Sequence, residues 1–128
     1  MNRFKNFAAM ARIFYYLGTC TTCERIMKEI PNLKSFKLRE IKGDPITPKE
    51  LDDLKALAGG YEALFSRVAL KYRALGLNKM KLTEKDYRRY ILEEYTFLKR
   101  PVMVIDDRIL IGNAPKVTKE MAQAAGEH

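Results

Sequence analysis

The first periodic stretch of this chain is Arg12-Ile13-Phe14-Tyr15-Tyr16-Leu17, a β-branched and aromatic run that reads as a strand. After the corner Gly18-Thr19, apolar residues at 23, 26, 27 and 30 take up helical spacing through Glu24–Ile30, and Pro31-Asn32 stops it. Phe36–Ile41 alternates apolar and polar, which predicts a second strand with one buried face, and Lys42-Gly43-Asp44-Pro45 reads as a turn. The pattern then becomes helical. Thr47 is a cap, with Pro48 at the first helical position and Glu50 three residues after the cap; Leu51, Leu54 and Ala58 form an inner face, and Gly59-Gly60 end it. A second helix is predicted from Tyr61, with Leu64, Phe65, Val68, Tyr72 and Leu75 on one side and Gly76 as its stop. A third starts at the cap Thr83 with acids in its first turn and carries Tyr87, Tyr90, Ile91 and Leu98 at helical intervals. Strand character returns at Pro101–Ile105, turns at Asp106-Asp107 and runs back through Arg108–Ile111; after Gly112-Asn113, Pro115 to Ala125 is a closing helix.

The order is β-α-β, a helical block, then β-β-α. That is the α/β order of a thioredoxin-like fold with an all-helical insertion, about residues 46–98, between its two halves. At 128 residues it is expected to be one domain, 1–128, burying roughly two-thirds of its unfolded surface. Residues 1–10 imitate a signal peptide only mildly, because Arg12 breaks the short apolar stretch; they read as a loosely ordered extension, with Met10 as the natural beginning.

Composition changes this picture little. No window approaches the length of an apolar membrane span. The net charge of +8 suits nucleic acid, an acidic partner or a small anion, but the basic residues are spread along the chain. Arg88-Arg89 and Lys99-Arg100 are only pairs, and no basic run interleaves with aromatics, so nucleic acid is unsupported and a solvated basic surface suffices.

The candidate chemistry lies in Cys20-Thr21-Thr22-Cys23, whose two cysteines are the only ones in the chain. Cys20 falls between strand and helix, where free backbone N–H groups and the positive end of the dipole favour an anion. A thiolate there is the nucleophile, and Cys23, one turn on, is placed to attack a mixed disulfide formed on Cys20. Three plainer readings stand beside this one. A zinc site would draw on two thiols and the single His128, short of the usual four ligands. A structural disulfide across so short a loop would constrain the unfolded chain little. Two inert core cysteines are the third. The spacing, with no secretion signal, points to thiol redox chemistry in a reducing cytoplasm, without a metal. Pro101 opens an apolar strand, where its missing N–H is tolerated in either isomer.

Three stretches in this order resemble the arsenate-reductase-like (ArsC) and Spx-like branch of the thioredoxin superfamily. They are the strand leading into Cys20–Cys23, Ala63–Arg67 through Tyr72–Leu77, and Lys99-Arg100-Pro101-Val102-Met103-Val104, and the resemblance runs from Ala11 to about Met121. It implies that Pro101 is cis and faces the cysteine loop, with Arg100 beside the reactive sulfur. Cys20, Cys23 and Arg100 would then be catalytic, and Arg100, Pro101, Thr19 and Arg67 would contact substrate. The departures are specific. Arsenate reductases of this family have one essential cysteine, at the place of Cys20, usually an arginine where Glu24 stands, and three anion-binding arginines. Of these only Arg100 matches; the second falls at Ser66 with Arg67 one residue late, and the third near Gly112. Glu24 competes with the thiolate for the helix terminus. The cysteine pair and Gly112 are closer to the Spx-like regulators, which switch on the redox state of the pair and bind RNA polymerase without turnover.

The resemblance thus implies a cytoplasmic thiol–disulfide oxidoreductase with no bound cofactor. Its substrate is a small anion or a disulfide, and glutathione, glutaredoxin or thioredoxin is the electron donor. The alternative it implies is a redox-sensing regulator docking on RNA polymerase.

Overall fold

The computed structural model describes residues 11–127; the expectations placed on residues 1–10, an extension and a start at Met10, lie outside them. The chain divides into two compact units: Pro45–Lys99, and the residues up to Asp44 together with those from Arg100 on.

In the latter unit, β1 (Arg12–Tyr16) leads into α1 (Thr21–Glu29), which returns through a 3-10 turn at Leu33–Ser35 to β2 (Lys37–Glu40). After the other unit come β3 (Val102–Ile105), β4 (Arg108–Ile111) and α5 (Pro115–Gly126). The four strands lie in the order β2-β1-β3-β4. β1 pairs with β2 in parallel, Tyr16 opposite Glu40, and antiparallel to β3; β3 and β4 form a hairpin turning at Asp106, which takes a left-handed φ of 57°. This is the thioredoxin-like arrangement anticipated from the element order.

Alternation on the strands fixes one packed face. Phe14, Met103 and Ile105 are buried against Ile26 and Ile30 of α1 and Met121, Ala124 and Ala125 of α5, with Phe36 joining them. Each of these side chains other than the alanines contributes about 1.5–3 kcal/mol relative to exposure. Val102 and Val104 are buried too, so β3 is apolar along its length, as a central strand is. Arg12 and Asn32 both donate to the Ala125 carbonyl (3.1 and 3.2 Å), satisfying a carbonyl near the end of α5.

β2 departs from its alternation. The alternation puts Leu38 on the buried face, yet it is 44% exposed while Arg39 is 9% exposed. The reason is position. β2 is an edge strand, and Arg39 lies 5.8 Å from the centre of the Tyr15 ring with a 2.9 Å ion pair to Asp44, so its charge is matched where it is covered.

In the Pro45–Lys99 unit, α2 (Pro48–Ala58) and α4 (Glu84–Glu93) start as predicted. Thr47 and Glu50 form a capping box, as do Thr83 and Asp86. Gly59, at φ 91°, closes α2 with a bond from its N–H to the Lys55 carbonyl. Asp52 of α2 accepts from the Tyr61 hydroxyl and from Arg88 of α4 (2.8 and 3.2 Å), so one carboxylate ties the two helices together.

Between them the long predicted helix from Tyr61 to Leu75 is replaced by a 3-10 turn at Glu62–Leu64, an extended run, and a short α3 (Leu70–Ala74). Backbone pairing decides this. Phe65 bridges Leu98, the Ser66 N–H donates to the Phe97 carbonyl at 2.7 Å, and the Lys99 N–H donates to the Leu64 carbonyl at 2.8 Å. Groups committed across the chain cannot serve a helix. Val68, assigned to the inner face, is 88% exposed, and Leu75 is 55% exposed. The third helix likewise stops at Glu93, because Glu94 is extended (φ −144°) and its carboxylate caps a 3-10 turn at Tyr95–Phe97 through Thr96. Leu98 is therefore buried through the bridge and not on a helix face. Among the described residues no helix is long and apolar enough to cross a membrane.

Phe65 is fully buried and its ring meets those of Tyr72, Tyr87 and Phe97 at centroid distances of 6.0, 4.9 and 5.1 Å. Phe65→Ala is expected to cost about 3–5 kcal/mol, seen as a lower urea midpoint at unchanged slope.

Candidate functional site

The β1–α1 corner places the cysteines. Leu17 is buried and ends the apolar run; its carbonyl accepts from the Cys20 N–H at 3.0 Å, and this turns the chain into α1. Cys20 takes an extended N-cap conformation (φ −91°, ψ 114°), and its sulfur accepts the Cys23 N–H at 3.4 Å. Cys20 thus does with sulfur what Thr47 and Thr83 do with oxygen. It is half-buried, whereas Cys23 is 1% exposed on the inner face of α1, and both are free thiols.

Their acidities are driven apart. Partial burial of Cys20 works against its thiolate. The Cys23 N–H and thiol, the Thr22 N–H and the charge of Arg100 outweigh it, so its pKa falls below the ordinary 9.0. Burial raises Cys23 to about 11, with a contribution from the negative charge of Cys20 and partial relief from the Leu17 N–H and Arg100. Glu24 is exposed and faces Lys28 at 3.8 Å, as an ordinary acid of a first helical turn does.

The other anticipated residues divide between the units. The Arg100-Pro101 bond is cis, Pro101 is buried, and its carbonyl accepts the Gly112 N–H at 2.8 Å. The guanidinium of half-buried Arg100 acts on both sulfurs. Thr19 is exposed on the corner itself. Arg67 belongs to the Pro45–Lys99 unit, where it pairs with Glu62 at 2.7 Å and donates to the Tyr87 hydroxyl at 2.9 Å. Among the described residues no group of three or more His, Cys, Asp or Glu is gathered to hold a metal ion.

One residue escaped the sequence reading. Glu40, the last residue of β2, accepts the Gly18 N–H at 2.8 Å and the Gly43 N–H at 2.6 Å. The available signal was an acid ending a strand parallel to the one that leads into a glycine corner, since loops at such strand ends build sites.

A lowered pKa means more thiolate at a given pH, so iodoacetamide should modify Cys20 with a midpoint below 9.0 while Cys23 lags far behind. Arg100→Leu should raise the Cys20 midpoint, checked by the pH dependence of alkylation followed by peptide mass.

Several solved structures share this fold. An ArsC-family-related protein of Bacteroides fragilis superposes with a TM-score of 0.70 at 24% identity, over 88% of this chain and 98% of that one. An arsenate reductase of Vibrio cholerae gives 0.69 at 19% identity, over 88% and 98%. A Staphylococcus aureus protein solved by NMR gives 0.66 at 26% identity, over 85% and 96%. None of the curated proteins matches the chain significantly. The family model for ArsC matches residues 15–121, from inside β1 to Met121 of α5, and with the cysteine corner and the strands around it inside that span the chain belongs to the ArsC family.

Proposed function

We propose that this protein is a thiol–disulfide oxidoreductase in which Cys20 is the nucleophile and Cys23 the resolving thiol. The observation that carries the reading is the Cys20 sulfur at the N-cap, accepting the Cys23 N–H with the charge of Arg100 acting on it.

In the first step the Cys20 thiolate attacks one sulfur of a disulfide, forming a mixed disulfide and expelling the other sulfur as a thiolate. The negative charge on Cys20 is then gone. Burial chiefly keeps the Cys23 proton on, and the Cys20 charge with the hydrogen bond to it adds to this, so Cys23 becomes more acidic once the adduct removes that charge. Cys23 loses its proton, attacks the Cys20 sulfur and releases the second substrate thiolate, leaving a Cys20–Cys23 disulfide. Two electrons return the pair to thiols: from the dithiol of a glutaredoxin or thioredoxin, or from two glutathione molecules when the substrate is not glutathione disulfide itself.

Arg100 and the opening of β3 at Pro101, with Thr19 on the corner, form the substrate side of the proposed site, and the guanidinium suits a small anionic group by charge-assisted hydrogen bonding. The ion pair with Glu62 engages Arg67, so anion binding falls chiefly to Arg100. One guanidinium favours a singly charged group or a disulfide such as glutathione disulfide over a multiply charged oxyanion.

A second reading keeps the pair as a sensor on a regulator that binds RNA polymerase. Val68 and Leu70, 88% and 92% exposed beside Arg67 and Lys71, are bare apolar side chains of the sort a protein partner covers. Polymerase retained from lysate by one redox form and not the other, without catalytic turnover, would favour it.

Cys20→Ser should abolish reduction of glutathione disulfide. Cys23→Ser should still attack but stall, and intact mass should rise by one glutathionyl group; full activity in Cys20→Ser would overturn the assignment.

A further inference from the structure

Glu40 is a half-buried acid that holds two loops at once. Its two oxygens take one backbone N–H each, from two separate loops: Oε2 from Gly18 at 2.8 Å and Oε1 from Gly43 at 2.6 Å. Gly18 stands two residues before Cys20, and Gly43 two residues before Pro45, where the other unit begins. Both glycines allow a close approach. A Cβ on Gly43 would lie a tight 3.3 Å from Oε1 and one on Gly18 an ordinary 3.4 Å from Oε2, so the carboxylate is seated close to backbone on both sides. Glu40 is anchored from behind by the sheet, since it is paired in register with Tyr16 and the Ile41 N–H donates to the Tyr16 carbonyl at 2.9 Å. The two N–H groups hold its carboxyl below the usual range, with Lys42 adding to this, so the clamp is charged at neutral pH.

What the clamp fixes is the corner from which Cys20 hangs. Leu17 and Cys20 close that corner through the 3.0 Å bond between them, and Gly18-Thr19 is the span in between. The direction in which the Cys20 sulfur leaves this corner decides whether it sits over the N–H groups of Thr22 and Cys23.

We infer that Glu40 is a positioning residue for the nucleophile: by gripping the Gly18 amide against the end of β2, it keeps the Cys20 sulfur aligned with the helix N–H groups. This rests on the reading of Cys20 as the nucleophile. The clamp and its charge act in opposite senses on Cys20. A loosened corner destabilises the thiolate, whereas removing a nearby negative charge favours it. The other groups bearing on Cys20, namely Cys23, the Thr22 N–H and Arg100, are not themselves altered by substitution at 40.

The decisive variant is Glu40→Asp, which keeps the charge but is one methylene too short to reach both amides. The midpoint of Cys20 alkylation against pH, read by peptide mass on the full chain, should rise by about one unit in Glu40→Asp, a roughly tenfold loss of thiolate at a fixed pH below the midpoint. Glu40→Gln, which loses the charge but retains one acceptor, should rise less. A Glu40→Asp midpoint equal to or below that of the unaltered protein overturns the proposal, even with a lower melting temperature, because a purely structural role would move stability alone. The alkylation readout needs no turnover. If Cys20→Ser retains activity while Glu40→Asp displaces the midpoint, the catalytic reading falls and the positioning role stands; if Cys20 is essential and the midpoint is unmoved, Glu40 alone is at fault.

Discussion

Sulfur is a weak hydrogen-bond acceptor when neutral and a good one when ionised. The 3.4 Å contact from the Cys23 N–H to the Cys20 sulfur is therefore worth most to the thiolate, and it sets the constraint on everything near it. For that contact to form, Cys20 must leave the helical conformation while Thr21 enters it, and the chain must arrive from β1 at one angle. The buried Leu17, the Cys20-to-Leu17 backbone bond and the sheet beneath fix that angle. The same helix then carries Cys23 inward, where burial works against its ionisation. One turn of backbone thus produces two thiols of the same chemical type with divided acidities.

The sheet supplies rigidity in proportion to what the site asks of it. β1 is central, bonded to β2 on one side and β3 on the other, so the strand that delivers Cys20 and the strand that follows Arg100-Pro101 are direct neighbours. Arg100 and the cysteine corner are brought near one another by pairing between Tyr15 and Val102, not by flexible loops. The apolar faces of α1 and α5 join these strands in one core that includes Ile26 and Met121, both fully buried.

Much of this was legible in the residues because it depends on near neighbours. The capping boxes at Thr47 and Thr83, the hairpin at Asp106-Asp107 and the cysteine spacing each need only a few consecutive positions. What was lost depends on partners far along the chain. The amides of Ser66 and Lys99 are taken by Phe97 and Leu64, which no helical periodicity between Tyr61 and Leu75 could indicate. Leu38 and Arg39 exchange their expected faces because β2 has a neighbour on one side only. Glu40 and Gly18 are separated by 22 positions and meet through strand register alone. The isomer at Arg100-Pro101 came from family resemblance, since the residues themselves permit either form.

The backbone bridge joining Leu64, Phe65 and Ser66 to Phe97, Leu98 and Lys99 has a topological consequence. It zips together the two ends of the polypeptide between them, so α3, α4 and the turn at Leu77–Lys79 form a closed lobe, which Arg88 also ties back to Asp52 of α2. The entropy of closing such a lobe grows only with the logarithm of its contour length. Leu77 is buried, so the bend is anchored there; residues added after it, at the exposed Asn78-Lys79, would lengthen the lobe while the backbone pairing at its neck stays in place.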